Sequence, residues 1–191
     1  MPTTGASAGK TNAAAEGSAR ARTALPSADS IVARVREELG EAWVPRLYRE
    51  RILQTRTRSH KVLPAAKGAG VEVQHTLLGI ELKVGRRRQS CPDLSTARYL
   101  AVFARAGCSE VAVPYDITRI SHLADELESA WQRMLLLAAR HTEGRARPFA
   151  SRVRTMLAGE VRREVGEAGP GAAVPEFKQS TRQRRTPVQE G

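Results

Sequence analysis

The run Val71 to Val84, VEVQHTLLGIELKV, constrains the fold more than any other part of the chain. It reads as two short extended segments, Val71 to Thr76 and Leu77 to Val84, closed by Gly85 and the triplet Arg86, Arg87 and Arg88. Side chains alternate between the two faces of a strand, so Glu81 and Lys83 project from one face while Ile80, Leu82 and Val84 project from the other. An acid and a lysine two residues apart on an otherwise aliphatic strand demand a polar environment on that side.

The flanking segments supply helices. From Ser27, with Asp29 or Ser27 able to cap, Ile31, Val32, Val35 and Leu39 recur at helical spacing until Gly40. A second helical run carries Trp43, Leu47 and Tyr48, with Pro45 near its start. Thr55 to Leu63 reads as an edge strand ended by Pro64, and Lys67-Gly68-Ala69-Gly70 as a turn. With the two central segments this predicts a meander of three antiparallel strands. Asp93 caps a helix that Gly107 ends, and Glu110 to Val113 is a short strand stopped by Pro114, predicted to cross over into the same sheet. Ser121 opens a helix with Leu123, Leu127, Ala130, Met134 and Leu137 on one face, and Pro148 a last one with Phe149, Val153, Leu157 and Val161 inward. The expected fold class is α/β, a small mixed sheet of about four strands flanked by helices, with two further C-terminal helices.

Residues 27–167 are expected to form one domain. Residues 1–26 read as a polar, Ala- and Ser-rich disordered tail, and residues 168–191 as a Pro- and Gly-rich tail that turns basic at Lys178, Arg182, Arg184 and Arg185. Lys and Arg total 31 against 20 Asp and Glu, a formal charge of +11, which favours an anionic partner such as nucleic acid or a membrane surface. Aromatic residues make up only 4% of the chain, too few for a dedicated single-strand stacking platform. Cys91 and Cys108 lack metal spacing and read as reduced thiols; with no apolar run of bilayer length, a cytoplasmic protein without membrane contact is expected. No Gly-rich phosphate loop is present, and Ser90 and Cys91 have no Asp-His partners for nucleophilic catalysis.

The order helix, three strands, helix, strand, with Ile80-Glu81-Leu82-Lys83 on the third strand, resembles the core of the PD-(D/E)XK nuclease superfamily, αβββαβ. The resemblance spans roughly Ser30 to Pro114. It implies a Mg²⁺-dependent phosphodiesterase acting on DNA or RNA, in which Glu81 is the acidic metal ligand of the half-motif and Lys83 its catalytic lysine. The first acid of the pattern, an Asp that often follows Pro, is replaced here by Glu72 after Val71; a tight hairpin is expected to set Glu72 across from Glu81 as the second metal ligand. Glu37 or Glu38 would add a further ligand on the same analogy. Hard divalent cations select carboxylate oxygens, and a bound metal lowers the pKa of water. Beside this stands a plainer reading of the same residues, in which Glu81 and Lys83 form a solvated strand face that pairs with its neighbours. Arg86, Arg87 and Arg88 are candidate phosphate contacts in either case, in a nuclease or in a non-catalytic basic module that binds nucleic acid or protein.

Overall fold

A computed structural model describes residues 25–172. The chain termini read above as tails lie outside those residues, except for Leu25, Pro26 and residues 168–172.

Helix α1 (Ala28–Leu39) begins where the Ser27 hydroxyl accepts the Ser30 amide at 3.1 Å, and stops at Gly40, whose φ of 53° suits a residue without a Cβ. Helix α2 (Val44–Leu47) continues through a π turn, Tyr48–Ile52. Strands β1 (Thr57–Lys61), β2 (Val71–Thr76), β3 (Gly79–Val84) and β4 (Arg87–Cys91) follow. Helix α3 (Leu94–Ala106) is capped by Asp93, which accepts the Thr96 amide at 2.7 Å, and ends in left-handed Gly107. Strand β5 (Glu110–Pro114) leads to α4 (Ile117–His141) and α5 (Arg147–Ala168). Helix α4 starts one turn before the expected Ser121 because Asp116 caps it, accepting both the amide and the hydroxyl of Thr118.

The mixed α/β class holds, but the strands form two small antiparallel sheets in place of one mixed sheet. Strands β2, β3 and β4 make the meander, while β5 pairs antiparallel with β1, Ser59 opposite Ala112. Arg87 and Arg88, expected to close the Val71–Val84 run, instead begin a further strand of that meander. Its residues RRQSC carry no aliphatic alternation, so the strand is specified by pairing with β3 alone. The two sheets meet through side chains: Gln89 donates to Lys61 O at 2.9 Å and accepts the Leu63 amide at 3.1 Å, and Arg87 donates to Pro64 O at 2.9 Å.

The core lies where α3 is enclosed by the sheets and the other helices, with Leu82 and Val84 facing it from β3, Leu100 and Phe103 from α3, and Leu127, Met134, Leu157 and Val161 from α4 and α5, all buried. Burial of each such side chain stabilises by roughly 1.5–3 kcal/mol. Both outer edges of the β1–β5 ribbon are closed without a third strand. On β5, the Ala112 amide donates to Tyr48 Oη at 2.7 Å and its carbonyl accepts from Tyr99 Oη at 2.6 Å. On β1, the Ser59 amide donates to Ala172 O at 2.8 Å, and a Cβ at Gly171 would collide with Thr57 Oγ1 at 2.6 Å. The ordered chain therefore runs beyond residue 167: α5 reaches Ala168, and Gly169 O accepts from Tyr48 Oη at 2.7 Å.

Candidate nucleic-acid interface

The β2–β3 turn consists of Leu77 and Leu78, with Thr76 opposite Gly79. That register fixes every pair along the hairpin. Glu72 falls opposite Lys83, and Glu81 opposite Gln74, so the two carboxylates do not face each other as expected but occupy diagonal positions on one sheet face. Leu77, assigned above to the strand, belongs to the turn, and moving it there shifts the pairing.

Each acid is bound to a cation on the neighbouring strand. Lys83 Nζ lies 3.4 Å from Glu72 Oε2, and Arg88 Nη1 lies 3.2 Å from Glu81 Oε2. Glu72 thus reaches to β3 and Glu81 to β4. On the opposite face, Leu82 and Val84 are buried against the core. Glu38 is bonded to His141 Nε2 at 2.7 Å, and Glu37 lines a groove beside α1, so neither joins Glu72 and Glu81. Among the described residues no group of three or more His, Cys, Asp or Glu gathers in metal-ligand fashion. Two diagonal carboxylates, each neutralised by its own cation, do not fit the magnesium centre that the resemblance implies.

The arginine triplet divides. Arg88 is committed to Glu81, whereas Arg87 turns to Pro64 O and Arg86 is exposed in the β3–β4 turn. This turn packs on the loop 64–70: Gly85 donates its amide to Gly70 O at 2.9 Å, and a Cβ on Gly85 would touch Ala69 Cβ at 3.6 Å.

Next to that loop is a pocket of about 330 Å³. Lys67 of the loop, Arg105 at the end of α3, and Arg154 and Arg162 of α5 line it, together with Ser151 and with Thr155, whose hydroxyl donates to Ser151 O at 3.0 Å. Trp131 and Leu135 of α4 and Ala158 of α5 supply an apolar wall. Among the described residues no carboxylate lines it, nor the adjoining hollow of Lys67, Pro148, Ser151, Arg152, Thr155 and Met156. Arg162 lies across the C-terminal end of α3, its Cδ 3.6 Å from where a Gly107 Cβ would stand. Peptide carbonyls unpaired at a helix C-terminus favour a cation there. Burial pushes the neighbouring Cys108 thiol up to about 12 despite Arg162, so this cysteine is a packed neutral group. Arg105 Nη1 is buried without a hydrogen bond and lies 3.9 Å from Glu128. Among the described residues Lys67, Arg152, Arg154 and Arg162 enter no ion pair.

Nothing in the sequence reading joins Arg154 and Arg162 of the last helix to Lys67. A signal existed within α5 itself: Ser151, Arg154, Thr155, Ala158, Gly159 and Arg162 recur at helical spacing as a second, polar and small-residue stripe beside the apolar one.

Most other cations of the helices are internally occupied. Glu164, 3% exposed on α5, takes Arg36 at 3.1 Å, Arg49 at 3.3 Å and the Trp43 indole at 3.3 Å, joining α5 to α1 and α2. Arg98 holds Asp125 at 2.8 Å and Glu128 at 2.7 Å, joining α3 to α4. No helix of the described residues is long and apolar enough to cross a membrane. No protein-family model, curated protein or solved structure matches the chain.

Proposed function

We propose that this chain is a nucleic-acid-binding α/β module that holds phosphates along a basic strip running from Arg86 and Arg87, over the loop at Lys67, to Arg154, Arg162 and Arg152 of α5. The observation that carries the reading is a pocket lined, among the described residues, by Lys67, Arg105, Arg154 and Arg162 and by no carboxylate, with Lys67, Arg154 and Arg162 entering no ion pair. Cations left unmatched exchange condensed counterions for contacts to a polyanion, and the released ions drive association. Hydroxyls and guanidinium groups are the usual donors to phosphate oxygens.

The paired state of Glu72 and Glu81 supports binding without metal-dependent cleavage, and the pairing of β5 with β1 supports the same choice over an αβββαβ catalytic core. Two sets of substitutions test the placement. Replacing Lys67, Arg154 and Arg162 by Ala should weaken binding to an oligonucleotide more than tenfold. Replacing Arg88 alone, which is tied to Glu81, should change it less than threefold. Equal affinity of wild type and the triple variant contradicts the proposed surface.

A further inference from the structure

We infer that the pocket beside Gly107 recognises a phosphomonoester at the end of a nucleic-acid strand; this rests on the nucleic-acid reading above and specifies the group held there. Three features of the pocket point the same way. Its walls come from four segments, the loop 64–70, the end of α3, α4 and α5, which converge on one hollow. The charge is convergent as well: Lys67, Arg105, Arg154 and Arg162 line one hollow of about 330 Å³. A phosphomonoester carries about −1.5 to −2 at neutral pH, with three strong acceptor oxygens. An internal diester carries a single charge, so three cations without an ion pair, Lys67, Arg154 and Arg162, in one hollow favour the terminal group. Finally, Trp131 and Leu135 provide an apolar wall beside those cations, which suits a sugar and base attached to the phosphate and offers nothing to a bare anion. Arg162 lies beside Gly107 at the C-terminal end of α3, next to the loop 64–70.

The test uses the full chain and short oligonucleotides of one sequence, labelled internally, ending in a 5′-phosphate, a 3′-phosphate or hydroxyls at both ends. One phosphorylated form should bind at least tenfold more tightly than the dihydroxyl form. That preference should vanish in Arg162→Gln and in Lys67→Gln, on opposite walls and both exposed, and persist in Arg88→Gln; circular dichroism checks that each variant folds. Equal affinity for all three ends, with salt-sensitive binding retained, overturns the inference and leaves the nucleic-acid reading standing. Loss of binding to all three overturns that reading as well. A nucleoside monophosphate that binds as tightly as the phosphorylated strand overturns the assignment to a strand end.

Discussion

The phenolic oxygen of Tyr48 accepts the Ala112 amide at 2.7 Å and donates to Gly169 O at 2.7 Å, so one hydroxyl closes the free edge of β5 and fastens the segment after α5. Tyr99, packed with Phe103 at a ring separation of 5.2 Å, takes the Ala112 carbonyl from the other side. A buried strand edge with no strand beside it would leave two orphaned backbone groups on Ala112, and the two tyrosines remove both.

Tyr48→Phe keeps the ring and deletes that hydroxyl, leaving a buried N–H without a partner. The expected loss is about 1–3 kcal/mol, read from the denaturant midpoint at unchanged slope. Tyr99→Phe should cost a similar amount through the orphaned carbonyl. A loss below about 0.5 kcal/mol in both would contradict the edge-closing role.

Alkaline pH should act through the same residue. Burial raises the Tyr48 phenol to about 12 in the fold. In the unfolded chain it titrates near 10. Between these values the folded state keeps a proton that the unfolded state gives up, so stability is intact below about pH 10 and falls as pH rises towards 12. Cys108, raised to about 12 by burial, contributes with the same sign from a lower starting point. Tyr48→Phe should flatten part of the decline in melting temperature over this window; an unchanged slope would contradict the assignment.

Buried and surface carboxylates should separate cleanly. Glu164→Gln removes the charge that Arg36, Arg49 and the Trp43 indole share at 3% exposure, and is expected to cost about 1.5–3 kcal/mol. Glu72→Gln breaks the exposed pair with Lys83 and should cost less than about 1 kcal/mol. Chemical denaturation of the two variants side by side decides it.

Magnesium supplies a further test. Because Glu72 and Glu81 are each held by a cation on the next strand, added Mg²⁺ or Mn²⁺ should neither raise the melting temperature nor start cleavage of single- or double-stranded substrates. Metal-dependent cleavage that disappears in Glu81→Gln would restore the nuclease chemistry implied by the resemblance.

Local rules made much of this fold readable in the sequence. Ser27, Asp93, Gly40 and Gly107 marked helix ends because capping acts within one turn, and the apolar stripes of α4 and α5 followed from their period. The antiparallel partnership of β2 with β3 was readable, but that of β1, β4 and β5 was not. Nothing local in Thr57–Lys61 or Glu110–Pro114 says that they pair with each other, since the Tyr48 and Tyr99 hydroxyls that close the β5 edge lie 64 and 13 residues from Ala112 in the chain. The Glu81-x-Lys83 pair was visible, but its meaning depended on a register set by Leu77 and Leu78, two apolar residues in a turn where polar or glycine residues are usual. Lys67, Arg105 and Arg162 are brought together only when the end of α3 meets α5, a long-range contact that no spacing within one element reports.

The most direct test of the basic strip is the salt dependence of oligonucleotide affinity, measured for the wild-type chain and for the variant with Lys67, Arg154 and Arg162 replaced by Ala. Each phosphate contact contributes roughly 0.7 to the slope of log K against log salt for single strands and roughly 0.9 for duplex. Removing three cations from the interface should therefore lower the slope by about 2–3 and weaken binding at moderate salt. A slope identical in the two proteins, or wild-type affinity insensitive to salt, would contradict the account.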